Sequence, residues 1–227
     1  MKRLIYLALM IATGACMSSC GPAGHLSNGY QTEEIRDVML FDPVSKIEII
    51  GKGGITVTDT TACIASQELL LETLKTYDSG LNIKAVHRPE SNRETEKIRK
   101  EIENLYARHL NASEEDGAIT YPIPENIDRI PEKSGHRYGM VLYCYGFSRT
   151  GGNYATQVAK SVGIALLTLG SVYTVPYKDK SNLHLFLIDS EKDQIAYQIH
   201  SIAPDYNPLK PKHVEKQFKY LFKEFRK

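Results

Sequence analysis

Apolar residues recur along the chain with two periods, and these periods predict a mixture of strands and helices. Short apolar or alternating runs typical of strands cover residues 46–50, 55–58, 81–87 and 138–147, and a hairpin is expected over 181–201. The run 138–147 is apolar on both faces, which favours a central strand covered on two sides. We therefore expect a mixed central sheet with a C-terminal antiparallel hairpin.

Helical spacing of apolar residues separates these runs. It predicts a helix that starts at Asp59, Thr60 or Thr61, a second that starts at the capping box Ser91-x-x-Glu94, a short turn over 126–130 and a last helix over 214–225. This order of elements predicts one α/β domain of the α+β kind over residues 38–227. About three to four helices should pack on its sheet.

His109, His184 and His200 fall on the predicted second helix and the predicted hairpin, and none is expected to bind a metal. His109 closes the apolar stripe of the second helix, a position typical of a half-buried core residue. If residues 190–193 form the hairpin loop, regular pairing places His184 opposite Ile199, and His200 then points to the other face. No Cys-x-x-Cys or Cys/His cluster with zinc spacing is present. The sequence therefore predicts no metal site and no cofactor.

Residues 146–173 combine a glycine-rich start with an apolar stretch. Lys160 and Gly163 inside the stretch disfavour a transmembrane helix, which needs about twenty apolar residues. A nucleophile elbow needs Gly-x-Ser-x-Gly, and Thr150 occupies the position of the last glycine. We interpret the segment as a crossover into an apolar helix or loop that packs on the sheet or forms a contact surface. No catalytic residue is assigned, and the candidate contact residues are Arg149, Asn153 and Tyr154.

The start of the chain predicts export and lipid attachment. Residues 1–19 combine a basic start, an apolar core of roughly ten residues and a run of small residues, which is the layout of a secretory signal. Ser18-Ser19 directly before Cys20 resembles the lipobox of bacterial lipoproteins, in which the cysteine is acylated and becomes the new N-terminus. Cys16 is the competing site. We expect a lipid on Cys20 and a flexible tether over 20–37, where polar residues show no apolar period.

Composition narrows the classes of partner. The chain has 28 basic and 27 acidic residues, and the predicted signal removes two of the basic ones, so the mature protein is close to neutral. This balance gives no electrostatic reason to expect nucleic acid. Cys63 and Cys144 each lie between apolar neighbours, which favours small buried residues over a disulfide.

Several of these motifs carry a resemblance. The run 138–147, the glycine-rich stretch 149–154, the apolar residues up to Gly170 and the hairpin with Leu187-Ile188-Asp189 before its turn resemble a group of lipoproteins of Bacteroidota. The order of elements is more distantly similar to periplasmic lipoprotein domains of the curli-secretion lipoprotein, the outer-membrane activators of penicillin-binding proteins and the Tol-system propeller protein. Those domains bind other proteins, so the resemblance implies a protein partner. The shared motifs are structural and imply no functional residue.

Two hypotheses about function follow. The first is a non-enzymatic interaction or assembly module, anchored by its lipid to the cell membrane or outer membrane, with its domain in the periplasm or at the cell surface. It predicts an exposed apolar patch near residues 151–173 or on the last helix. The second is an envelope hydrolase or small-ligand-binding protein that uses Ser148, Arg149, Asp189 or Glu191 in a pocket.

Overall fold

The computed structural model of the chain describes residues 24–111, 121–172 and 174–226. The strands are β1 (His25–Leu26), β2 (Val38–Leu40), β3 (Val44–Ile50), β4 (Thr56–Thr58), β5 (Ile83–Val86), β6 (Tyr138–Arg149), β7 (Asp179–Asp189) and β8 (Gln194–Pro204). The helices are α1 (Thr60–Thr76), α2 (Asn92–Asn111), α3 (Glu125–Lys133), α4 (Gly151–Leu167) and α5 (Pro211–Leu221), and a 3-10 turn covers Lys52–Gly54. The predicted signal 1–19, Cys20 and its alternative Cys16 lie outside the described residues.

Strand β6 is the centre of the sheet. One of its edges pairs antiparallel with β7 along nearly its whole length. Its other edge pairs parallel with β2 over the first three residues and then with β3 over the last seven. Beyond these neighbours the sheet continues through β8 and β1 on one side, and through β5 and β4 on the other. The predicted mixed α+β sheet with a central strand at 138–147 and a C-terminal hairpin is therefore confirmed.

Two apolar layers cover the sheet, because side chains of β6 alternate between its faces. Met140 and Leu142 point into the larger cluster, where helices α1 and α5 pack. Val141 and Tyr143 point into the second cluster, which α2 and α3 cover. Four helices thus pack on the sheet, within the predicted three to four, and the described residues contain a fifth helix, α4. Cys63 is half-buried and Cys144 is buried, and both are free thiols, as expected.

Local signals place the helix starts where the sequence predicts them. Asp59 caps α1, because its Oδ1 accepts a hydrogen bond from the Ala62 amide at 2.8 Å. Ser91 Oγ accepts from the Glu94 amide at 3.2 Å, and the Glu94 carboxylate accepts from the Glu90 amide at 2.7 Å. These bonds satisfy amide donors that the first helical turn leaves without a partner.

The predicted flexible tether is wrong for residues 24–37. Strand β1 pairs antiparallel with β8 and extends the sheet by one strand. Tyr30 and Ile35 are buried in the larger cluster, and Tyr30 donates a hydrogen bond to Asp189 at 2.9 Å. The segment lacks a helical or strand period because its few apolar side chains reach the core from an irregular backbone. Packed structure therefore starts by Gly24 and not at Val38.

A bulge in the hairpin corrects the expected register. Ile188 pairs with Ile195 across the predicted loop, but the next pair joins Leu187 to Tyr197. Ala196 therefore has no paired residue on β7 and is the extra residue of a bulge in β8. Because side chains alternate between faces, one extra residue turns every later side chain of β8 to the opposite face.

The bulge brings two histidines together, against the prediction. His184 pairs directly with His200, where regular pairing had placed Ile199. Both imidazoles lie on the face of the sheet that α2 covers, together with Phe186. Tyr197 instead belongs to the cluster on the opposite face.

The buried carboxylate of Asp189, at the hairpin loop, binds both Arg137 before β6 and Tyr30 of the N-terminal segment. The Asp189 side chain is fully buried, and the Arg137 guanidinium donates to it from Nη2 at 2.7 Å and from Nε at 3.1 and 3.2 Å. Burial by itself would raise the pKa of Asp189, but the hydrogen bonds from Arg137 and Tyr30 outweigh burial and lower it. Asp189 therefore stays ionised inside the fold.

Replacing Arg137 with Gln should destabilise the protein by about 2–4 kcal/mol, because Asp189 is left buried without its cation. We expect a loss near the lower end of this range, because the Arg137 side chain is 37% exposed and water partly screens its charge. Arg129→Gln is the control, since Arg129 and its partner Glu125 are both exposed, and it should change the free energy of unfolding by less than about 0.5 kcal/mol. Urea denaturation measures both.

A comparison of the wild type with Arg137→Gln also tests the lowered pKa of Asp189. A carboxylate with a lowered pKa stabilises the fold above its ordinary pKa, so the wild type should lose stability as the pH falls below about 4. In Arg137→Gln the pKa of Asp189 should rise, so the difference between the two proteins should shrink in acid. A difference that is constant from neutral to acidic pH would contradict the assignment.

Candidate functional site

Helix α4 leaves the C-terminal end of β6 and is attached to the domain at its first turn. Asn153 is 3% exposed, and its amide Nδ2 donates to the Gly51 carbonyl at 2.8 Å. Its Oδ1 accepts a hydrogen bond from Arg149 Nη1 at 2.8 Å. The hydroxyl of Thr150 accepts from the Asn153 amide and caps the helix. Asn153 thus connects α4 to the turn that follows β3.

The three predicted contact residues lie together at this junction. Arg149 also donates from Nε to the Tyr177 carbonyl at 3.0 Å, and its guanidinium lies 5.3 Å from the Phe147 ring centroid. Tyr154 is half-buried. Arg149 and Asn153 therefore use their polar groups within the chain, and contact with a partner stays a prediction for all three residues.

The exposed part of this segment lies further along the chain than the predicted residues. Leu166, Leu167 and Leu169 are 73%, 87% and 95% exposed. We call the exposed apolar side chains of this region the α4 surface; they are Val162, Ile164, Leu166, Leu167, Leu169 and Val172. An exposed apolar patch within 151–173 is what the interaction hypothesis expects.

The surroundings of the α4 surface add apolar area and positive charge. Helix α4 contacts the 3-10 turn Lys52–Gly54, and nearby Ile55 and Val57 are 68% and 60% exposed. From Arg149 to Lys178 the chain contains three basic residues and no acidic one. This stretch of the chain is therefore apolar and weakly basic.

A second cluster joins three histidines that the sequence had kept apart. His109 comes from the last turn of α2, His184 from β7 and His200 from β8. One ligand atom from each imidazole lies within 4.8 Å of the other two. The ring centroids are 5.5 Å apart for His109 and His184, 6.0 Å for His109 and His200, and 5.3 Å for His184 and His200.

Aromatic side chains surround the histidine cluster. The Tyr106 ring packs edge-on against His184 at 4.7 Å, and Phe186 packs edge-on against His109 at 5.4 Å. Burial lowers the pKa of His184 to about 3, with a further contribution from the neighbouring histidines. His184 is therefore a neutral imidazole at neutral pH. No residue type in β8 marks the bulge that completes this cluster, so sequence reasoning had no signal for it.

The residues of the ligand or hydrolase hypothesis fall into two separate places. Ser148 donates to Asp179 Oδ1 at 2.6 Å, and Asn207 Nδ2 donates to the same oxygen at 3.2 Å. Asp179 begins β7 and Asp189 ends it, so the two carboxylates are roughly 30 Å apart along an extended strand. Ser148 and Arg149 therefore share no pocket with Asp189 and Glu191.

A large groove of about 1000 Å³ lies between α1 and α2 over β3 and β6. On its wall Arg99 donates to both Glu96 and Glu103, and Lys46 adds a further positive charge. Tyr145 donates to Glu48 at 2.9 Å. The groove thus carries paired charges on its wall and does not converge on a reactive group.

The remaining findings concern membranes and similar proteins. Among the described residues, no helix combines the length and the apolar character that crossing a bilayer requires. Neither a protein-family model nor a curated protein matches the sequence.

Solved structures with a similar course of the chain include PelC from Paraburkholderia phytofirmans, crystallised as a dodecamer. One crystal form has 8% identity and a TM-score of 0.34 over 85% of this chain and 90% of that one. Another has 11% identity and a TM-score of 0.32 over 90% and 97%. The C-terminal domain of LpoB from Salmonella enterica has 12% identity and a TM-score of 0.30 over 78% and 87%.

These neighbours are periplasmic proteins associated with the cell envelope. All three TM-scores are low, so none of the likenesses bears on the function of this chain. The resemblance to lipoproteins of Bacteroidota has no support among the comparisons and stays a prediction.

The attachment of α4 can be tested with Asn153→Ala, which removes the bonds to Gly51 and Arg149. We expect amide exchange in α4 to accelerate by roughly tenfold or more, while the central strand β6 keeps its protection. Thr156→Ala on the exposed side of the same helix is the control and should leave exchange unchanged. Hydrogen-exchange mass spectrometry measures both, and equal acceleration in β6 would contradict a local role for Asn153.

Proposed function

We propose that this protein is a lipid-anchored envelope lipoprotein that binds another protein through the α4 surface and performs no catalysis. The observation that carries the proposal is the exposure of Leu166, Leu167 and Leu169, which lie at the C-terminal end of a helix held at its first turn and just beyond it. Large apolar side chains grouped on one part of a surface mark interaction sites far more often than isolated ones do.

The distribution of apolar residues around α4 favours a partner that binds the helix in a groove. Val162, Ile164, Leu166 and Leu167 follow one another at about 100° per residue, so together they span roughly 200° of the circumference of its C-terminal half. An apolar surface of this width exceeds the stripe of about 100° by which a surface helix packs on its own domain. A protein groove that encloses α4 from several sides would bury it in the manner of helix-in-groove recognition.

A membrane surface is a poorer match for α4. Helices that lie in the bilayer interface have one apolar face and a strongly charged opposite face. Within α4 the only charged residue is Lys160, and apolar side chains occupy the face on which it lies, including Ile164 and Leu167. The helix therefore lacks the charged face that would remain in water.

Charge argues for a different protein as partner and against a second copy of this chain. From Arg149 to Lys178, the stretch that contains the α4 surface, the chain has three basic residues and no acidic one. Two such surfaces facing each other would bring like charges together, which disfavours association. The partner we propose therefore has an apolar groove with acidic residues at its rim.

The docking proposal predicts the effect of a double variant, Leu167→Gln with Leu169→Asn. Both residues are solvent-exposed, and Leu169 has a φ of 50°, which Asn tolerates well, so folding should be retained. Burial of two leucines contributes about 3 kcal/mol or more to binding, so affinity for the partner should fall by more than about 100-fold. Ile202→Gln is the control, because Ile202 is 57% exposed on β8.

The partner is identified by photocrosslinking from position 167 in the native envelope, with position 202 as control. A defined heterologous protein adduct from position 167 alone, whose purified binding the double variant abolishes, supports the proposal. Adducts confined to lipid, adducts of two copies of this chain, or equal adducts from both positions would each overturn it.

Lipid attachment is a separate expectation. Cys20→Ser should remove the acyl mass from the N-terminal peptide and release the protein from membranes, whereas Cys16→Ser should leave both unchanged. Mass spectrometry of the mature N-terminus, together with membrane fractionation, measures this. An unmodified N-terminus in the wild type, or a lipid retained in Cys20→Ser, would contradict the assignment.

A further inference from the structure

We propose that His109, His184 and His200 form a binding site for a divalent transition-metal ion, with Zn²⁺ as the best match. The site uses different residues from the α4 surface and is independent of the proposed docking function. All three donors are imidazole nitrogens. Imidazole suits Zn²⁺ and its neighbours in the first transition series, whereas Ca²⁺ and Mg²⁺ prefer oxygen ligands.

The backbone holds the three donors from three directions. His184 and His200 form a directly opposed pair on adjacent strands, which fixes their relative height in the sheet. The final turn of α2 brings His109 over this pair. Donors on strands and helices are held more rigidly than donors on loops, so the site is largely formed before an ion arrives.

The distances fit an ion after a small adjustment of the rings. An ion equidistant from three atoms at the full 4.8 Å separation lies about 2.8 Å from each, compared with Zn–N bonds of about 2.0–2.1 Å. Each ring nitrogen must therefore move by less than about 1 Å, which small side-chain rotations supply. His109 and His200 are half-buried at the edge of the cluster.

A buried nitrogen without a partner points to a missing ligand. His184 is 4% exposed, and its Nδ1 has no hydrogen-bond partner among the described residues. Buried polar atoms in folded proteins are nearly always satisfied by protein, water or an ion.

The arrangement leaves room for a ligand that the three histidines do not supply. Structural zinc sites usually have four protein donors, whereas three histidines leave one tetrahedral position for water or another small ligand. Gln198 lies two residues before His200, and its Oε1 accepts a hydrogen bond from Tyr121 at 2.8 Å. This bond closes one side of the cluster with an aromatic ring.

The test uses the full-length chain purified in detergent and freed of metal with a chelator. We expect calorimetry with Zn²⁺ to show one site per chain, and Co²⁺ to give the intense visible bands of a tetrahedral complex. His109→Gln and His200→Gln should each weaken Zn²⁺ binding by more than about 100-fold, beyond the 10–100-fold effect of losing an outer partner. His136→Gln is the control and should bind like the wild type.

Two features of the experiment separate loss of the metal site from other causes of weaker Zn²⁺ binding. Cysteines elsewhere in the chain are common to all variants, so the difference between variants reports the histidines alone. Circular dichroism shows whether each variant folds, and the half-buried positions 109 and 200 are chosen in preference to buried His184 for that reason. No tetrahedral Co²⁺ spectrum in the wild type, or Zn²⁺ binding that is equal in all four proteins, would overturn the site and leave the three histidines as aromatic packing.

Discussion

Strand β6 is buried on both faces and paired on both edges, and the remaining elements take their places from it. Its long antiparallel pairing with β7 fixes the hairpin, while β2 and β3 share its opposite edge one after the other. Alternating side chains of β6 belong to both apolar clusters, so α1 and α5 are assigned to one face and α2 and α3 to the other. Loss of this strand would therefore separate both layers of the core.

The bulge at Ala196 shows how a single residue changes chemistry without changing the fold. The hairpin keeps its loop and its strands, and both clusters remain filled. The bulge changes only the face to which the later side chains of β8 point. His200 is one of these side chains. A structural irregularity in the backbone thus assembles side chains that lie 16 positions apart on the hairpin with one from a distant helix.

Helix α4 follows a different rule from the other helices. They bury an apolar stripe against the sheet, whereas α4 is held by the polar bonds of Asn153 and leaves its leucines in water. Exposed apolar area on this scale contributes nothing to the stability of the isolated domain. In the function that we propose, a partner groove buries this area, and the attachment of α4 at one end leaves its other end accessible to that groove.

Sequence pattern alone determined the element types, because strand alternation, helical spacing and caps such as Asp59 and Ser91 are local properties. It also identified β6 as central, since a strand that is apolar on both faces must be covered twice. It could not show that residues 24–37 pack on the sheet, because Tyr30 reaches Asp189 across 159 positions. Nor could it place His200 beside His184. Register depends on pairing energy summed over whole strands, and only the tertiary structure decided where the extra residue lies and which side chains meet.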